Sequence, residues 1–192
     1  MARPAGGWVP RLAVEADIPA ISGLIPLSVR GLQGDVYSGV QMESAIHCGV
    51  FAVDRQLIRD GTYFVVEDEG RIVGCGGWSK RRSNYGGDSG RSGTDPEIDP
   101  RTEPARIRAF FVHPGSARQG IGRSIMEACE AAVAAAGFRD VTISATLTGE
   151  SLYASFGYKA VDRFDIPLPG GIPLPCVRMA RSLASAVQAE KQ

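Results

Sequence analysis

A turn bordered by glycines, between an apolar segment and an amphipathic helix, carries the clearest chemistry in this sequence. The apolar segment 109–112 ends at His113 and Pro114, and the following turn enters a helix through Gly120 and Gly122. Such a helix start leaves backbone N–H groups without intrahelical acceptors at the positive end of the helix dipole, where they bind phosphate oxygens. The first ligand to expect is therefore a molecule that carries phosphate.

Two common phosphate-binding loops do not fit this turn. A nucleotide-hydrolysing loop requires a lysine and a hydroxyl residue directly after its last glycine, whereas Arg123 follows Gly122. A dinucleotide site requires a third glycine and an acidic residue at the far end of the next strand, whereas Asp140 stands at the near end. Both interpretations fail on the positions of the residues as well as on their types.

The third interpretation is the pyrophosphate of coenzyme A, because the turn resembles that of the GNAT acyltransferase superfamily. The family's turn reads Arg or Gln, any, any, Gly, any, Gly or Ala, and the matching residues run from Ala117 to Gly122. Ala117 departs from the pattern, and Arg118 is displaced by one position. Because backbone N–H groups do most of the phosphate binding, the departure weakens the charge contribution and not the site.

The resemblance implies acetyl-CoA as co-substrate, no metal, and a coenzyme A site formed by the strand end and the turn. In the family, the pantetheine arm pairs with backbone groups of that strand, here near Phe110 and Val112, much like an added strand. The implied cofactor-binding residues are Phe110, Phe111, Val112, Arg118, Gln119, Gly120, Ile121, Gly122 and Arg123.

A tyrosine four residues before a glycine extends the resemblance. In the family such a tyrosine, on the short helix after the next strand, protonates the departing coenzyme A thiolate. Tyr153 and Gly157 reproduce that spacing, so the resemblance implies that Tyr153 is the catalytic acid. An aromatic residue packed in the core is the alternative.

The residue that would deprotonate the acceptor is less evident. Many family members have a glutamate on the fourth strand as general base, and Arg106 stands at the aligned position. By strand alternation Arg106 and Arg108 share a face, where they would suit a carboxylate or phosphate of the acceptor; pairing with nearby acids such as Asp99 is the alternative. Glu103 is the acidic residue nearest to the strand and is the predicted base.

These residues must be positioned by a succession of strands and helices. The resemblance implies an α/β (α+β) fold with a mixed, mostly antiparallel sheet of about six to seven strands flanked by helices and splayed between the fourth and fifth strands. A first strand and a helix that Pro26 bends or ends early are expected near the N-terminus. The other predicted strands span 62–66, 71–78, 106–112, 141–145, 158–166 and 176–180, and the other helices 40–48, 53–58, 120–136 and 149–156.

Composition and length limit the remaining possibilities. With 192 residues, of which 44% are hydrophobic, we expect one domain over 1–192, with about eight N-terminal and about eleven C-terminal residues loose. The long loop 79–104 is either a solvated excursion or a functional lid. Equal numbers of basic and acidic residues, 21 each, argue against nucleic acid or an anionic membrane as partner. Four isolated cysteines and the lack of a long apolar run indicate a cytoplasmic protein with reduced thiols.

The predicted function is transfer of an acetyl group from acetyl-CoA to the primary amine of a small molecule by direct attack. One alternative is a non-catalytic module that senses acyl-CoA, suggested by the missing strand glutamate and by Ala117. Another is a protein or peptide N-acetyltransferase, which would need the loop 79–104 to leave an open groove. The proline-rich segment 167–175 and the last strand are candidate surfaces for a homodimer.

Overall fold

The computed structural model describes residues 7–83 and 95–183, which contain seven strands and five α-helices. The strands are β1 (Arg11–Leu12), β2 (Tyr63–Asp68), β3 (Arg71–Ser79), β4 (Ala105–Val112), β5 (Asp140–Thr146), β6 (Lys159–Leu168) and β7 (Ile172–Ser182). The helices are α1 (Ile18–Leu32), α2 (Gly39–His47), α3 (Arg55–Arg59), α4 (Ile121–Ala135) and α5 (Glu150–Ser155).

The strands form one sheet in the order β1-β2-β3-β4-β5-β7-β6, and all neighbours are antiparallel except β4 and β5. The parallel pairing of β4 with β5 runs only from Ala105 opposite Val141 to Ile107 opposite Ile143. Both strands continue beyond these pairs, so a space opens between them, which we call the wedge. The predicted mixed, mostly antiparallel and splayed sheet is confirmed.

A bulge in β4 accompanies the opening. Ala109 has a φ of 60°, a left-handed conformation that is uncommon for residues other than glycine. The hydroxyl of the fully buried Tyr63 donates to the Ala109 carbonyl at 3.1 Å, and the register between β3 and β4 shifts between Cys75 and Gly77. Because a bulge bends the strand that contains it, β4 leaves β5 beyond Ile107.

Two glycines of β3 allow direct packing on the strand's backbone. A Cβ atom at Gly74 would lie 2.3 Å from Cγ2 of Ile121, at the start of α4. A Cβ atom at Gly76 would lie 2.6 Å from the ring of Phe110. The helix that follows the glycine turn and an aromatic ring of the wedge are therefore both set against β3.

Helices cover both faces of the sheet. Neighbouring residues of β2 point to different apolar clusters, since Val66 belongs to one and Val65 to the other. The first cluster contains the buried face of α4, formed by Ile121, Ile125, Met126, Cys129 and Val133. The second contains the buried face of α1, formed by Ile21, Leu24, Ile25 and Val29.

Prolines interrupt the structure less than the sequence predicted. Helix α1 continues through Pro26 to Leu32, because its buried apolar face outweighs the loss of one backbone hydrogen bond. The segment 167–175, expected to separate two strands, belongs mostly to the hairpin β6–β7, in which Pro167 lies opposite Pro173. Prolines are tolerated there because β6 is the sheet edge and β7 pairs with β5 only from Cys176 onward.

The described ends of the loop 79–104 are paired with each other. Arg81 forms a bridge with Glu97, and the Ile98 N–H donates to the Lys80 carbonyl at 2.9 Å. The Arg81 guanidinium also holds the Asp60 carboxylate through two contacts of 2.7 and 2.8 Å. The described ends of the loop, which we call its stem, are thus fixed to the sheet. Whether the loop is a lid or a solvated excursion depends on residues outside the described ranges.

Replacing Gly74 tests the close packing of α4 on β3. We expect Gly74→Ala to lower the free energy of unfolding by about 1–3 kcal/mol, because its Cβ overlaps Ile121. Gly23→Ala is the matched control: it lies within α1 with no atom within 4 Å of its Cβ position, and it should stabilise by about 0.5–1 kcal/mol. Urea denaturation measures both, and equal midpoints for the two variants would contradict the packing described.

Candidate active site

The turn before α4 presents a row of backbone N–H groups. Arg118 and Gly120 have φ angles of 63° and 93°, which turn the chain sharply before α4 begins at Ile121. In the part of the chain that the structure describes, the N–H groups from Arg118 to Arg123 have no acceptor. Successive unpaired N–H groups at a helix start form an anion-binding concavity.

A cavity of about 720 Å³, which we call the turn cavity, lies against these N–H groups. Gly122 is close to its opposite wall, because a Cβ atom there would lie 3.2 Å from Cδ2 of Leu152. The hydroxyl of Thr148 is buried without a partner among the described residues. The volume and the polar groups of the turn cavity fit a large phosphorylated ligand. The lining residues are Leu32, Val112, Ala117, Arg118, Gly120, Ile121, Gly122, Arg123, Thr148, Ser151, Leu152 and Ser155.

Two of the predicted coenzyme A residues direct their side chains elsewhere. The Gln119 carbonyl accepts a hydrogen bond from Nε1 of Trp8 at 2.9 Å, and its side-chain amide donates to the Gly115 carbonyl at 3.4 Å. The Phe111 ring is buried against Phe51, with ring centroids 6.2 Å apart, and does not line the turn cavity. Trp8, at the end of the N-terminal segment of about eight residues that is expected to be loose, is only 8% exposed.

A second cavity, of about 90 Å³, lies in the wedge, and we call it the wedge cavity. Tyr153 lines it and packs edge to face against Phe110, with ring centroids 6.1 Å apart. The residue is 7% exposed, and burial raises the pKa of its hydroxyl well above the usual range. The ring of Tyr153 is therefore part of the core, as the alternative interpretation held, and its phenol also keeps its proton at neutral pH.

The two cavities are lined by neighbouring residues of the same two elements. On β4, Phe110 lines the wedge cavity and Val112 the turn cavity. On α5, Tyr153 lines the wedge cavity and Leu152 the turn cavity. A ligand extending from the turn along β4 would thus arrive beside Tyr153.

Arg108 forms a buried ion pair at the wedge cavity. Its Nε lies 2.9 Å from Oδ2 of Asp54, and both side chains are at most 4% exposed. Asp54 also caps α3 by accepting the Leu57 N–H at 3.3 Å, and Arg108 donates to the Ser83 carbonyl. The acid paired with Arg108 is therefore Asp54, not Asp99. Sequence reasoning missed Asp54, whose only local signal is its position before the short helix.

Arg106 and Glu103 do not line either cavity. Arg106 lies on the paired end of β4, where Nη1 is 3.3 Å from the Arg81 carbonyl, and burial lowers the pKa of its guanidinium. The Glu103 carboxylate accepts from Arg82 at 2.7 Å. The structure therefore does not bring the predicted base to Tyr153. Asp54 is the one carboxylate that lines the wedge cavity in the described part of the chain, where it is ion-paired with Arg108 and accepts the Leu57 N–H.

A splayed sheet with an anion-binding turn beside the opening defines an acyltransferase architecture. The family model described as "Acetyltransferase (GNAT) domain" matches residues 59–160. The chain therefore belongs to the GNAT acetyltransferase family, as the resemblance implied. A search of curated protein sequences found no match.

Solved structures share the fold. A GCN5-related N-acetyltransferase from Rhodopseudomonas palustris superposes with a TM-score of 0.70 at 21% identity, covering 95% of this chain and 98% of its own. The PaiA N-acetyltransferase from Thermoplasma acidophilum, in complex with coenzyme A, gives 0.65 at 13% identity over 92% and 99%. A phosphinothricin acetyltransferase from Sinorhizobium meliloti, in complex with acetyl-CoA, gives 0.60 at 19% identity over 92% and 88%.

Two further observations concern the residues that the structure describes. No helix among them has the length and apolarity that a bilayer-spanning segment needs. Within 7–83 and 95–183, histidine, cysteine and acidic side chains do not gather in threes as a metal site would require.

The buried ion pair yields a stability prediction. Arg108→Met should lower the free energy of unfolding by about 3–5 kcal/mol, because it leaves the Asp54 carboxylate buried without its cation. The control, Arg163→Met, breaks an ion pair with Glu150 in which Arg163 is 62% exposed, and should cost less than about 1 kcal/mol. Urea denaturation compares the two, and a loss of under 1 kcal/mol in both would refute the buried pairing.

Proposed function

We propose that this protein is an N-acetyltransferase that moves an acetyl group from acetyl-CoA to the primary amine of a small molecule. The observation that carries the proposal is the position of Tyr153. This residue lines the wedge cavity, next to the turn cavity, and its hydroxyl is protonated at neutral pH. Family membership supports the acetyl donor, and the small wedge cavity supports a small acceptor.

Acetyl-CoA, when bound, supplies a thioester carbonyl carbon that an amine can attack. The N–H groups from Arg118 to Arg123 would hold its pyrophosphate at the start of α4. Beyond Ile107, the edge of β4 facing the wedge has no strand partner, so backbone groups near Phe110 are available to the amides of the pantetheine arm. At Val112 the N–H already donates to Oγ of Ser28 at 3.1 Å, which removes that group from the predicted pairing.

Tyr153 supplies the proton that the reaction requires. A bond forms between nitrogen and the carbonyl carbon as the carbon–sulfur bond breaks; the sulfur takes its proton from Tyr153, the nitrogen loses one proton to solvent water, and the phenolate of Tyr153 regains a proton from water. Because burial raises its pKa, the Tyr153 phenol is protonated throughout the neutral range, and it would donate its proton as negative charge develops on the departing sulfur.

No dedicated base is needed in this proposal. The fraction of the amine that is already neutral at the operating pH can attack. Confinement in the wedge cavity orients this amine, and orientation contributes a large part of the rate enhancement. Arg106 and Arg108 are not assigned to a carboxylate or phosphate of the acceptor, because Arg108 is paired with Asp54 and Arg106 lines neither cavity. Glu103 stays a prediction without support from its surroundings.

The size of the wedge cavity favours a small acceptor over a protein. A dry cavity of about 150 Å³ holds a benzene molecule, so 90 Å³ holds only the amine and a few carbon atoms. A peptide amine is the second candidate acceptor within the same activity. A cytoplasmic location, a single domain over 1–192 and a homodimer contact through 167–175 belong to the proposal as expectations.

Release of free thiol from acetyl-CoA in the presence of amines tests the proposal. We expect thiol release that depends on the amine, together with acetyl-CoA binding by calorimetry. An acyl-CoA sensor, the alternative that Ala117 suggests, would bind acetyl-CoA and release no thiol with any amine. Absence of acetyl-CoA binding would refute both functions.

Removal of one hydroxyl tests the role of Tyr153. Tyr153→Phe should lower kcat by about 100-fold or more without changing the Kd for acetyl-CoA, because a general acid contributes to the rate and not to donor binding. Tyr158→Phe is the matched control, since Tyr158 packs against Tyr153 at 6.5 Å but lines neither cavity. Equal kcat values for the two variants would remove the acid role.

The pH dependence follows from the raised pKa of Tyr153. An acid must be protonated to act, and an ordinary tyrosine loses its proton near pH 10. Since burial raises the pKa of Tyr153, kcat should not fall between pH 8 and about 10. A pH–rate profile with saturating amine measures this, and a decline centred below pH 9 would contradict a buried phenolic acid.

A further inference from the structure

The side chain of Gln33 is a buried polar group of the wedge cavity that the catalytic step does not use. Gln33 follows α1, lines the wedge cavity and is 7% exposed. Its main chain is fixed, because its N–H donates to the Val29 carbonyl and its carbonyl accepts from Val36 and Tyr37. Its Oε1 has no hydrogen-bond partner among residues 7–83 and 95–183.

An unpaired amide oxygen in such a position calls for a donor from a ligand. Leaving a buried acceptor unsatisfied lowers stability, and an N–H group of a bound molecule would remove that cost. The other polar residues of the wedge cavity are Tyr153, Ser144 and Thr146, which carry hydroxyl groups, Cys176 with its thiol, and the Asp54–Arg108 ion pair. Gln33 is therefore suited to bind an amine nitrogen.

The charge of the wedge cavity sets a second condition on the acceptor. Arg108 and Asp54, the charged residues among its described lining, are 2.9 Å apart and neutralise each other. A carboxylate beside the reacting amine would have to enter a space of about 90 Å³ and compete with Asp54 for Arg108. Burying a charge without its own counter-ion costs several kcal/mol, so such an acceptor is disfavoured.

We propose, on the basis of the proposed function, that the acceptor is a primary amine on an unbranched, uncharged carbon stem, R–CH₂–NH₂, and not an α-amino acid. One amine N–H donates to Oε1 of Gln33, which leaves the nitrogen lone pair directed away from that oxygen and available for attack. The first carbons of the stem fill the apolar part of the wedge cavity, formed by Val50, Phe51, Phe110, Phe111 and Ile166.

Three amines with the same carbon chain test the acceptor class. Butylamine fits the proposal, norvaline adds an α-carboxylate, and norvalinamide has the branched carbon without the charge. We expect kcat/KM for butylamine to exceed each of the other two by at least about tenfold, the discrimination that one poorly fitting or unpaired group produces. Amines beside a carbonyl have lower pKa values than alkylamines, so a larger neutral fraction would favour norvaline and norvalinamide if the site did not discriminate. Equal or lower values for butylamine would overturn the proposal.

Replacing Gln33 tests its contact with the amine. Gln33→Leu keeps a similar shape and removes the oxygen, so KM for butylamine should rise by about tenfold, the value of one hydrogen bond. The Kd for acetyl-CoA, measured by calorimetry, should not change, because Gln33 does not line the turn cavity. An unchanged KM would overturn the assignment of Gln33.

Replacing Asp54 tests the charge argument by a gain of function. Asp54→Asn keeps a residue that caps α3 well and removes the charge opposite Arg108, which a substrate carboxylate can then replace. The ratio of kcat/KM for norvaline to that for butylamine should rise at least about tenfold, and norvaline should raise the Tm of this variant but not of the wild type. An unchanged ratio would overturn the charge argument, and the wild-type comparison decides the acceptor class even where the variant does not fold.

The same measurements separate this inference from the proposed function. Thiol release with norvaline and not with butylamine overturns the acceptor class and leaves N-acetyl transfer intact. Acetyl-CoA binding with no thiol release from any of the three amines, or from a wider amine panel, overturns both and favours a sensor.

Discussion

Backbone hydrogen bonding between β4 and β5 stops after three residue pairs, and the unpaired stretch must be kept open by contacts from elsewhere. The Tyr63 hydroxyl donates a hydrogen bond to the carbonyl of Ala109 in the bulge, and Oγ of Ser28 in α1 accepts a hydrogen bond from the N–H of Val112. One contact comes from β2 within the sheet and the other from α1, which packs on one face of the sheet, so the wedge is a fixed property of the core. A preformed opening spares the binding of a ligand the cost of separating two strands.

The Asp54–Arg108 pair joins three parts of the chain at the wedge cavity. Asp54 fixes the start of α3, Arg108 belongs to β4, and Ser83, whose carbonyl Arg108 also contacts, lies in the long loop. Two charges that are almost fully buried cost desolvation energy, which their mutual attraction and hydrogen bonds must offset. Their value to the protein is thus geometric, since one side chain holds α3, β4 and the loop stem in register.

The features that the sequence predicted best are local ones. The hairpin of β2 and β3, the glycine turn, and the spacing of Tyr153 from Gly157 each depend on a few consecutive residues, and the structure contains all of these elements. The ion-pair partner of Arg108 and the burial of Gln33 depend on contacts between distant segments. The periodic pattern of apolar residues along the sequence does not show such contacts. Pro26 and Pro173 were misleading for the same reason, because tertiary packing and the position of an edge strand decide whether a proline is tolerated.

The hydrogen bond from Trp8 to the Gln119 carbonyl spans 111 residues of sequence. Closing so long a loop is slow, because the entropy of the intervening chain is lost before the contact rewards it. During synthesis the N-terminal segment would leave the ribosome well before the turn it supports. The turn that we propose as the phosphate site would therefore be completed late in folding, when the earliest and the middle parts of the chain meet.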